Sequence, residues 1–290
     1  MIERIVSVLF PLFAIASLGF VVGRRRRPDL SELNQLNMDV FTPALVFSAL
    51  AGKSVQLQAY APLALGATLL IAGSGVVAWA VARAARIDPR TLVPPMMFNN
   101  CGNLGLPLAV LAFGDAALAP AVVMFAVSNT LHFSFGTWYM DHETNLSNVW
   151  RVPSVLAALA GLSVSGLSIE LWPPLLTAIT LLGNITVPFM LFALGVRLSQ
   201  AQIRDVRFGA FGAMLRPITG MLLATIIAHH LALPGEQAGL LLVFGALPPA
   251  VLNYMFAERY RQEPDKVASM VLLGNLAAVL FLPIALAWVL

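Results

Sequence analysis

The sequence predicts an all-α membrane protein with ten transmembrane helices, arranged as two inverted five-helix repeats. Three observations carry this prediction: the composition, the spacing of apolar segments and the distribution of positive charge. Of the 290 residues, 59% are hydrophobic and 11% are charged, and the mean hydropathy is +0.84. Soluble domains carry roughly 25% charged residues, so this composition excludes a soluble enzyme. A net charge of only +3, with scattered arginines, excludes a nucleic-acid-binding protein.

Ten apolar segments approach the length of about 20 residues that a helix needs to cross a bilayer. They are residues 3–23, 30–52, 60–84, 91–113, 117–140, 152–168, 172–198, 207–230, 236–258 and 266–289. In the first segment the positive run, Arg24 to Arg27, follows the apolar stretch, whereas a signal peptide carries its charge in front. We therefore expect the first segment to be retained as a span.

Lysine and arginine residues are distributed unevenly among the connections between the predicted helices. The connections after predicted helices 1, 3, 5, 7 and 9 hold 14 of the 17 positive residues, whereas the other side holds only Arg4 and Lys53. Arg216 is inside helix 8. The positive-inside rule places the odd-numbered connections in the cytoplasm and both termini outside, which predicts an inner-membrane protein with periplasmic termini.

A shift of 145 residues aligns the two halves of the chain. Residues 39–47 (DVFTPALVF) then meet residues 184–192 (NITVPFMLF), with proline and phenylalanine in register. The shift also pairs helix 4, interrupted by NNCGNLGLP at residues 99–107, with helix 9, interrupted by GALPP at residues 245–249. Five is an odd number of spans, so repeats 1–145 and 146–290 are predicted to be inverted. Inverted repeats with broken helices are typical of secondary transporters.

The two interruptions predict the binding site, because non-helical backbone at membrane depth is tolerated where it is buried or lines a cavity. The alternative is that the asparagines only satisfy the broken backbone and that the histidine is structural. The second half of each broken helix points its positive N-terminus at the membrane centre, which favours an anionic or polar substrate over a metal ion. Candidate substrate-binding residues are Asn99, Asn100, Gly102, Asn103, Gly105 and Pro107 in helix 4, Asn129 and His132 in helix 5, and Pro248, Pro249 and Asn253 in helix 9. No catalytic residue, metal site or cofactor is expected.

Asp39 and Arg216 are the opposite charges that lie well within predicted spans. Each is about 13 Å from the cytoplasmic end of its helix, where an isolated charge is costly. The sequence suggests that these two charges form a pair. The pair would form in one transport state and break in the other if helix 2 belongs to a fixed scaffold and helix 8 to a moving domain. The alternative is a protonated Asp39 and an Arg216 whose side chain extends to the cytoplasmic interface.

These motifs resemble the auxin efflux carrier family. The resemblance rests on residues 98–108 (FNNCGNLGLPL), 246–251 (ALPPAV), 43–47 (PALVF) and on Phe256, Ala257 and Tyr260. It implies the ten-helix fold of bile-acid symporters and sodium/proton antiporters, with helices 1, 2, 6 and 7 as a scaffold and helices 3, 4, 5, 8, 9 and 10 as a moving transport domain. It also implies small organic anions, such as malate, malonate-like or auxin-like acids, as substrates.

Other interpretations stay open at this point. A cation or proton exchanger would use Asp39 as its ion site, although one acidic residue instead of a pair argues against it. An intramembrane enzyme would need a nucleophile motif, and residues 163–166 (SVSG) lack the glycine that a rhomboid-like protease requires. The expected partners are a small organic anion and the lipid bilayer, and a homodimer is one arrangement to test.

Overall fold

The computed structural model describes residues 1–51, 57–144 and 146–290. Lys53, the end of the second predicted span and the predicted boundary between the halves at residue 145 lie outside these ranges. Within them the chain is helical almost throughout, in segments that coincide with the predicted ones to within a few residues.

We group the helices into segments α1 to α10. Unbroken segments are α1 (Ile2–Arg26), α3 (Leu57–Ala85), α5 (Asp115–Met140), α6 (Pro153–Gly166), α8 (Val206–His230) and α10 (Pro264–Val289). Segment α2 is also continuous, since Ser31–Leu36, Asn37–Phe41 and Thr42–Leu50 follow one another without a gap. Interrupted segments are α4 (α4a, Pro89–Met97; α4b, Cys101–Phe113), α7 (Pro173–Gly183 and Thr186–Gln200) and α9 (α9a, Gly235–Ala246; α9b, Val251–Arg259).

Six helices in the described part of the chain are long and apolar enough to cross a membrane. They are α1, α5, α7, α8, α10 and the stretch Ala59–Ala85 of α3. The apolar helices α4b and α6 are shorter. The all-α membrane fold is thus confirmed, while the count of ten membrane crossings stays a prediction.

Close helix crossings repeat between the two halves. A Cβ atom on Gly195 of α7 would lie 1.9 Å from the carbonyl oxygen of Ala16 in α1. A Cβ atom on Gly161 of α6 would lie 3.0 Å from the Cβ of Leu50 in α2. Moving each residue by 145 positions converts the first pair into the second. The α1–α7 crossing therefore has its counterpart in the α6–α2 crossing.

The same shift relates the helices that support the two interrupted helices. Gly75 of α3 packs against Met97 at the end of α4a, and Gly220 of α8 packs against Gly245 at the end of α9a. Gly75 and Gly220 are 145 residues apart. In both halves a small residue lets the supporting helix approach the end of the broken one.

Candidate functional site: the crossing of the two broken helices

The interruptions of α4 and α9 bond directly to each other. The Asn100 N–H donates to the carbonyl of Pro248 at 2.8 Å, and the Ala250 N–H donates to the carbonyl of Phe98 at 3.0 Å. Asn99 and Pro249 thereby form one antiparallel bridge. Pro248 and Pro249 have no N–H, so neither can continue the hydrogen bonding of α9a. We call this pairing the crossing.

An asparagine from each interruption caps a helix of the other one. Nδ2 of Asn99 donates to the carbonyl of Phe244, 2.5 Å away in the last turn of α9a. Nδ2 of Asn253 donates to the carbonyl of Phe98, 2.8 Å away at the end of α4a. Both asparagines are buried, and their amide groups satisfy carbonyls that a helix end leaves open.

Asn275 of α10 also holds the crossing, although the sequence analysis did not identify it. Its Nδ2 donates to the carbonyls of Val271 at 2.8 Å and Pro249 at 3.2 Å. Because both partners are acceptors, the orientation of this amide is fixed, and its Oδ1 accepts from Nδ2 of Asn100 at 2.9 Å. An asparagine in the middle of an apolar helix was the signal that could have identified it.

A cavity of about 1020 Å³ extends from the crossing to the arginine-rich end of α1. Six of the predicted site residues line it: Asn99, Asn100, Gly102, Asn103, Asn129 and His132. Asp39, Met190 and Arg197 line it from α2 and α7, and Arg24 and Arg27 lie at its outer end. Arg197 was not predicted as a site residue.

The remaining predicted residues lie behind the cavity wall. Gly105, Pro107, Pro248, Pro249 and Asn253 do not line the cavity. The proline pair and Asn253 form and cap the interruptions, and a Cβ on Gly105 would lie 2.8 Å from the side chain of Leu247. Their surroundings support the alternative that these residues shape the backbone.

His132 is held between aromatic rings. Phe98 stacks on it with ring centroids 4.1 Å apart, and Phe256 of α9b meets it edge-on at 5.1 Å. Its Nε2 is buried without a hydrogen-bond partner in the described part of the chain. The neighbouring Asn129 donates from Nδ2 to Oγ of Ser154 at 2.6 Å. His132 thus lines the cavity as a residue, but its Nε2 is enclosed within the protein and is not exposed to the cavity.

Three short π-helical turns border the cavity: Asn37–Phe41, Cys101–Gly105 and His132–Gly136. Turns of this kind are rare and occur frequently at functional sites. They bring Asp39, Asn103 and His132 to the wall from three different helices.

Helix ends contribute to the electrostatics of the crossing. The N-terminal residues of α4b (Cys101, Gly102, Asn103) and those at the start of α9b (Ala250, Val251, Leu252) line the cavity. The first N–H groups of a helix have no acceptor within it and carry a partial positive charge. The side chain of Asn103 makes no hydrogen bond to any described residue and is partly exposed to the cavity. The closed end of the cavity thus offers donors to an anion.

Asp39 and Arg216 do not form the suggested charge pair in this conformation. Asp39 is exposed and accepts a hydrogen bond from Gln35 at 2.7 Å. Arg216 is 1% exposed and donates to the carbonyl of Gly245 at 3.0 Å. The expectation that Arg216 extends to an interface is therefore wrong, because its guanidinium binds the end of α9a. Asp39 is less buried than its depth along the helix suggested, because it borders the cavity.

Comparison with known proteins identifies the family of this chain. The family model described as membrane transport protein matches residues 4–144 and 137–286. A protein of Rhizobium meliloti (strain 1021) named "Putative malonate transporter" is 24% identical over 95% of this chain and 93% of its own length. An "Uncharacterized transporter" of Methanothermobacter thermautotrophicus is 26% identical over 97% of this chain and 96% of its own length. The chain therefore belongs to the membrane transport protein family, the family of the auxin efflux carriers, and is a multi-pass membrane protein.

Proposed function

We propose that this protein is a secondary transporter of small organic anions that works by alternating access. The observation that carries the proposal is the cavity that ends at the crossing. There, two half-helix N-termini and the free side chain of Asn103 line the same end of the cavity. Positive helix ends bind carboxylates well, and opposed broken helices are typical of secondary transporters.

The substrate is a small carboxylate. One relative is named for malonate, and a small dicarboxylate fits easily within a cavity of about 1020 Å³. Asn103 supplies a hydrogen-bond donor to the carboxylate oxygens, since an amide nitrogen can donate twice.

The proposed topology has ten crossings in two inverted repeats, with both termini in the periplasm. The repeated helix contacts, Ala16 with Gly195 and Gly161 with Leu50, support the repeat. The arginines at the outer end of the cavity then make this an inward-open conformation in the inner membrane. A single cysteine introduced at position 26 in a Cys101→Ser background tests this topology. A membrane-impermeant thiol reagent should label this cysteine only after the cells are opened. Labelling in intact cells would contradict the proposed orientation.

The proposed transport movement is of the elevator type. The cavity is lined both by Met190 and Arg197 of α7 and by Asn103 of α4. Helices α1, α2, α6 and α7 would form the scaffold, and the crossing would move with α3, α4, α5, α8, α9 and α10. Movement between these groups would close the cavity on one side and open it on the other.

Asp39 supports a second candidate function, that of a cation or proton exchanger. Its carboxylate borders the cavity and no positive side chain pairs with it in the described part of the chain. An Asp39→Asn variant separates the candidates. An exchanger would lose its ion flux, whereas an anion transporter that does not use Asp39 would keep malonate uptake.

The direct test is binding and uptake by the purified full-length protein. Malonate, malate and indole-3-acetate should each be compared with a neutral amide of the same size, first by thermal shift and then by uptake into proteoliposomes. Stabilisation and uptake of at least one carboxylate is the expected result. Stabilisation by none of them, in a folded sample, would contradict the proposed function.

A further inference from the structure

Arg216 is a positive charge enclosed by the protein. It is 1% exposed, its terminal nitrogen donates to the carbonyl of Gly245 at 3.0 Å, and its Nε has no partner in the described part of the chain. No described carboxylate forms an ion pair with it. An unpaired charge inside a membrane protein is costly, and such residues are commonly functional.

The corresponding position in the first half of the chain holds an apolar residue instead of a charged one. The residue 145 positions before Arg216 is Ile71, which lies on α3 and is 2% exposed. The neighbouring glycines correspond as well, since Gly75 packs on the end of α4a and Gly220 on the end of α9a. An apolar side chain is therefore sufficient to close this helix contact, and the fold by itself does not require the arginine.

The position of Arg216 changes the electrostatics of the crossing. Gly245 is in the last turn of α9a, where a helix carries partial negative charge. The guanidinium offsets that charge, so the two N-termini that face the cavity dominate the field. Arg216 does not line the cavity itself, so it acts through this field and not by touching the substrate.

We infer that Arg216 is the fixed positive charge that makes the crossing selective for anions, with the substrate carboxylate as its counter-charge. The inference rests on the proposed function and adds the residue that determines charge selectivity. A unit charge acting over about 10 Å at an effective dielectric constant of about 20 changes affinity roughly tenfold.

The test compares malonate with malonamide, its neutral analogue, on the purified protein. Arg216→Gln keeps a donor for Gly245 and removes the charge. We expect it to lower the ratio of malonate to malonamide affinity about tenfold. Arg207→Gln makes the same change at an exposed position of the same helix and should leave the ratio unchanged. An unchanged ratio in Arg216→Gln would overturn the inference.

Two further variants protect the test against loss of folding. Arg216→Lys keeps the charge and should keep the ratio within about threefold. Arg216→Ile copies the first half of the chain and should fold yet lose the preference for malonate. A Lys variant that loses the preference while folded would assign Arg216 a merely structural role. If the wild-type protein prefers neither compound, the proposed function itself fails, and this inference fails with it.

Discussion

The interruptions of α4 and α9 perform the same architectural task with different chemistry. The α4 interruption is rich in asparagine and glycine, and five of its residues (Asn99, Asn100, Cys101, Gly102 and Asn103) line the cavity. The α9 interruption is made by Pro248 and Pro249, which do not line it, although the residues that follow them do. Of the two interruptions, α4 thus supplies most of the polar side chains that line the cavity, whereas α9 contributes a helix N-terminus.

The two interruptions also differ in their support. The end of α9a is held by Arg216, Asn99 and a backbone contact with Gly220, whereas the end of α4a contacts α3 through its own Met97 side chain and receives one amide from Asn253. The α9 interruption therefore has closer support from its neighbours, and the α4 interruption supplies more of the cavity wall.

The largest effect is expected from the glycines that support the interruptions. A Cβ on Gly220 would lie 2.0 Å from the carbonyl oxygen of Gly245, which is backbone and cannot move aside easily. A Cβ on Gly75 would lie 2.8 Å from Sδ of Met97, which can turn away. Gly220→Ala should therefore lower the free energy of unfolding by about 3 kcal/mol or more, and Gly75→Ala by about 1 kcal/mol or less. Thermal unfolding in detergent measures both, and equal losses would contradict the difference in support.

A second effect separates binding from capping. Asn103 bonds no described residue, whereas Asn253 caps α4a, so Asn103→Ala should lower carboxylate affinity roughly tenfold to a hundredfold at nearly unchanged stability. Asn253→Ala should instead lower the free energy of unfolding by about 1–3 kcal/mol, because it leaves the carbonyl of Phe98 with one donor fewer. Binding isotherms and unfolding curves of both variants check this. The division of roles is wrong if Asn103→Ala binds the substrate as the wild type does.

The smallest expected effect is on the pH dependence of stability, and it comes from the outer ends of α4a and α9a. Near the start of α4a, Thr91 donates to Glu263 at 2.6 Å, and Lys266 bonds the same carboxylate. The start of α9a is held by a neutral contact, from Gln237 to the carbonyl of Ala59 at 3.0 Å. Partial burial raises the pKa of Glu263, but the hydrogen bonds from Lys266 and Thr91 outweigh it and hold that pKa below the ordinary value.

Because the pKa of Glu263 is lowered in the folded state, its contribution is complete above the ordinary value of 4.5 and is lost as the pH falls below it. The carboxylate is more than a third exposed, so the loss should stay under about 1 kcal/mol. Thermal midpoints between pH 3.5 and 7 should fall slightly more at the acid end for the wild type than for Glu263→Gln. A Gln237→Ala variant should keep the wild-type pH profile, and parallel profiles for the wild type and Glu263→Gln would remove the pH effect.

The sequence by itself determined the class of the protein, the positions of its helices and the location of both interruptions. Apolar segments of membrane-spanning length and the runs rich in asparagine, glycine and proline at residues 99–107 and 245–249 indicate these locally. A proline by itself is not sufficient, since Pro11, Pro62, Pro217 and Pro283 lie inside continuous helices. The same reasoning identified six residues that the cavity brings together.

Only the tertiary structure decided which polar group faces which partner. Asn253 and Asn99 have the same chemistry, yet Asn253 caps α4a behind the wall while Asn99 also borders the cavity. Asn275 and the partner of Arg216 could not be deduced, because hydrogen bonds between segments 29 to 175 residues apart depend on how the helices pack. Local sequence sets where a helix breaks, whereas the roles of its polar side chains depend on which distant helix ends come within hydrogen-bond distance.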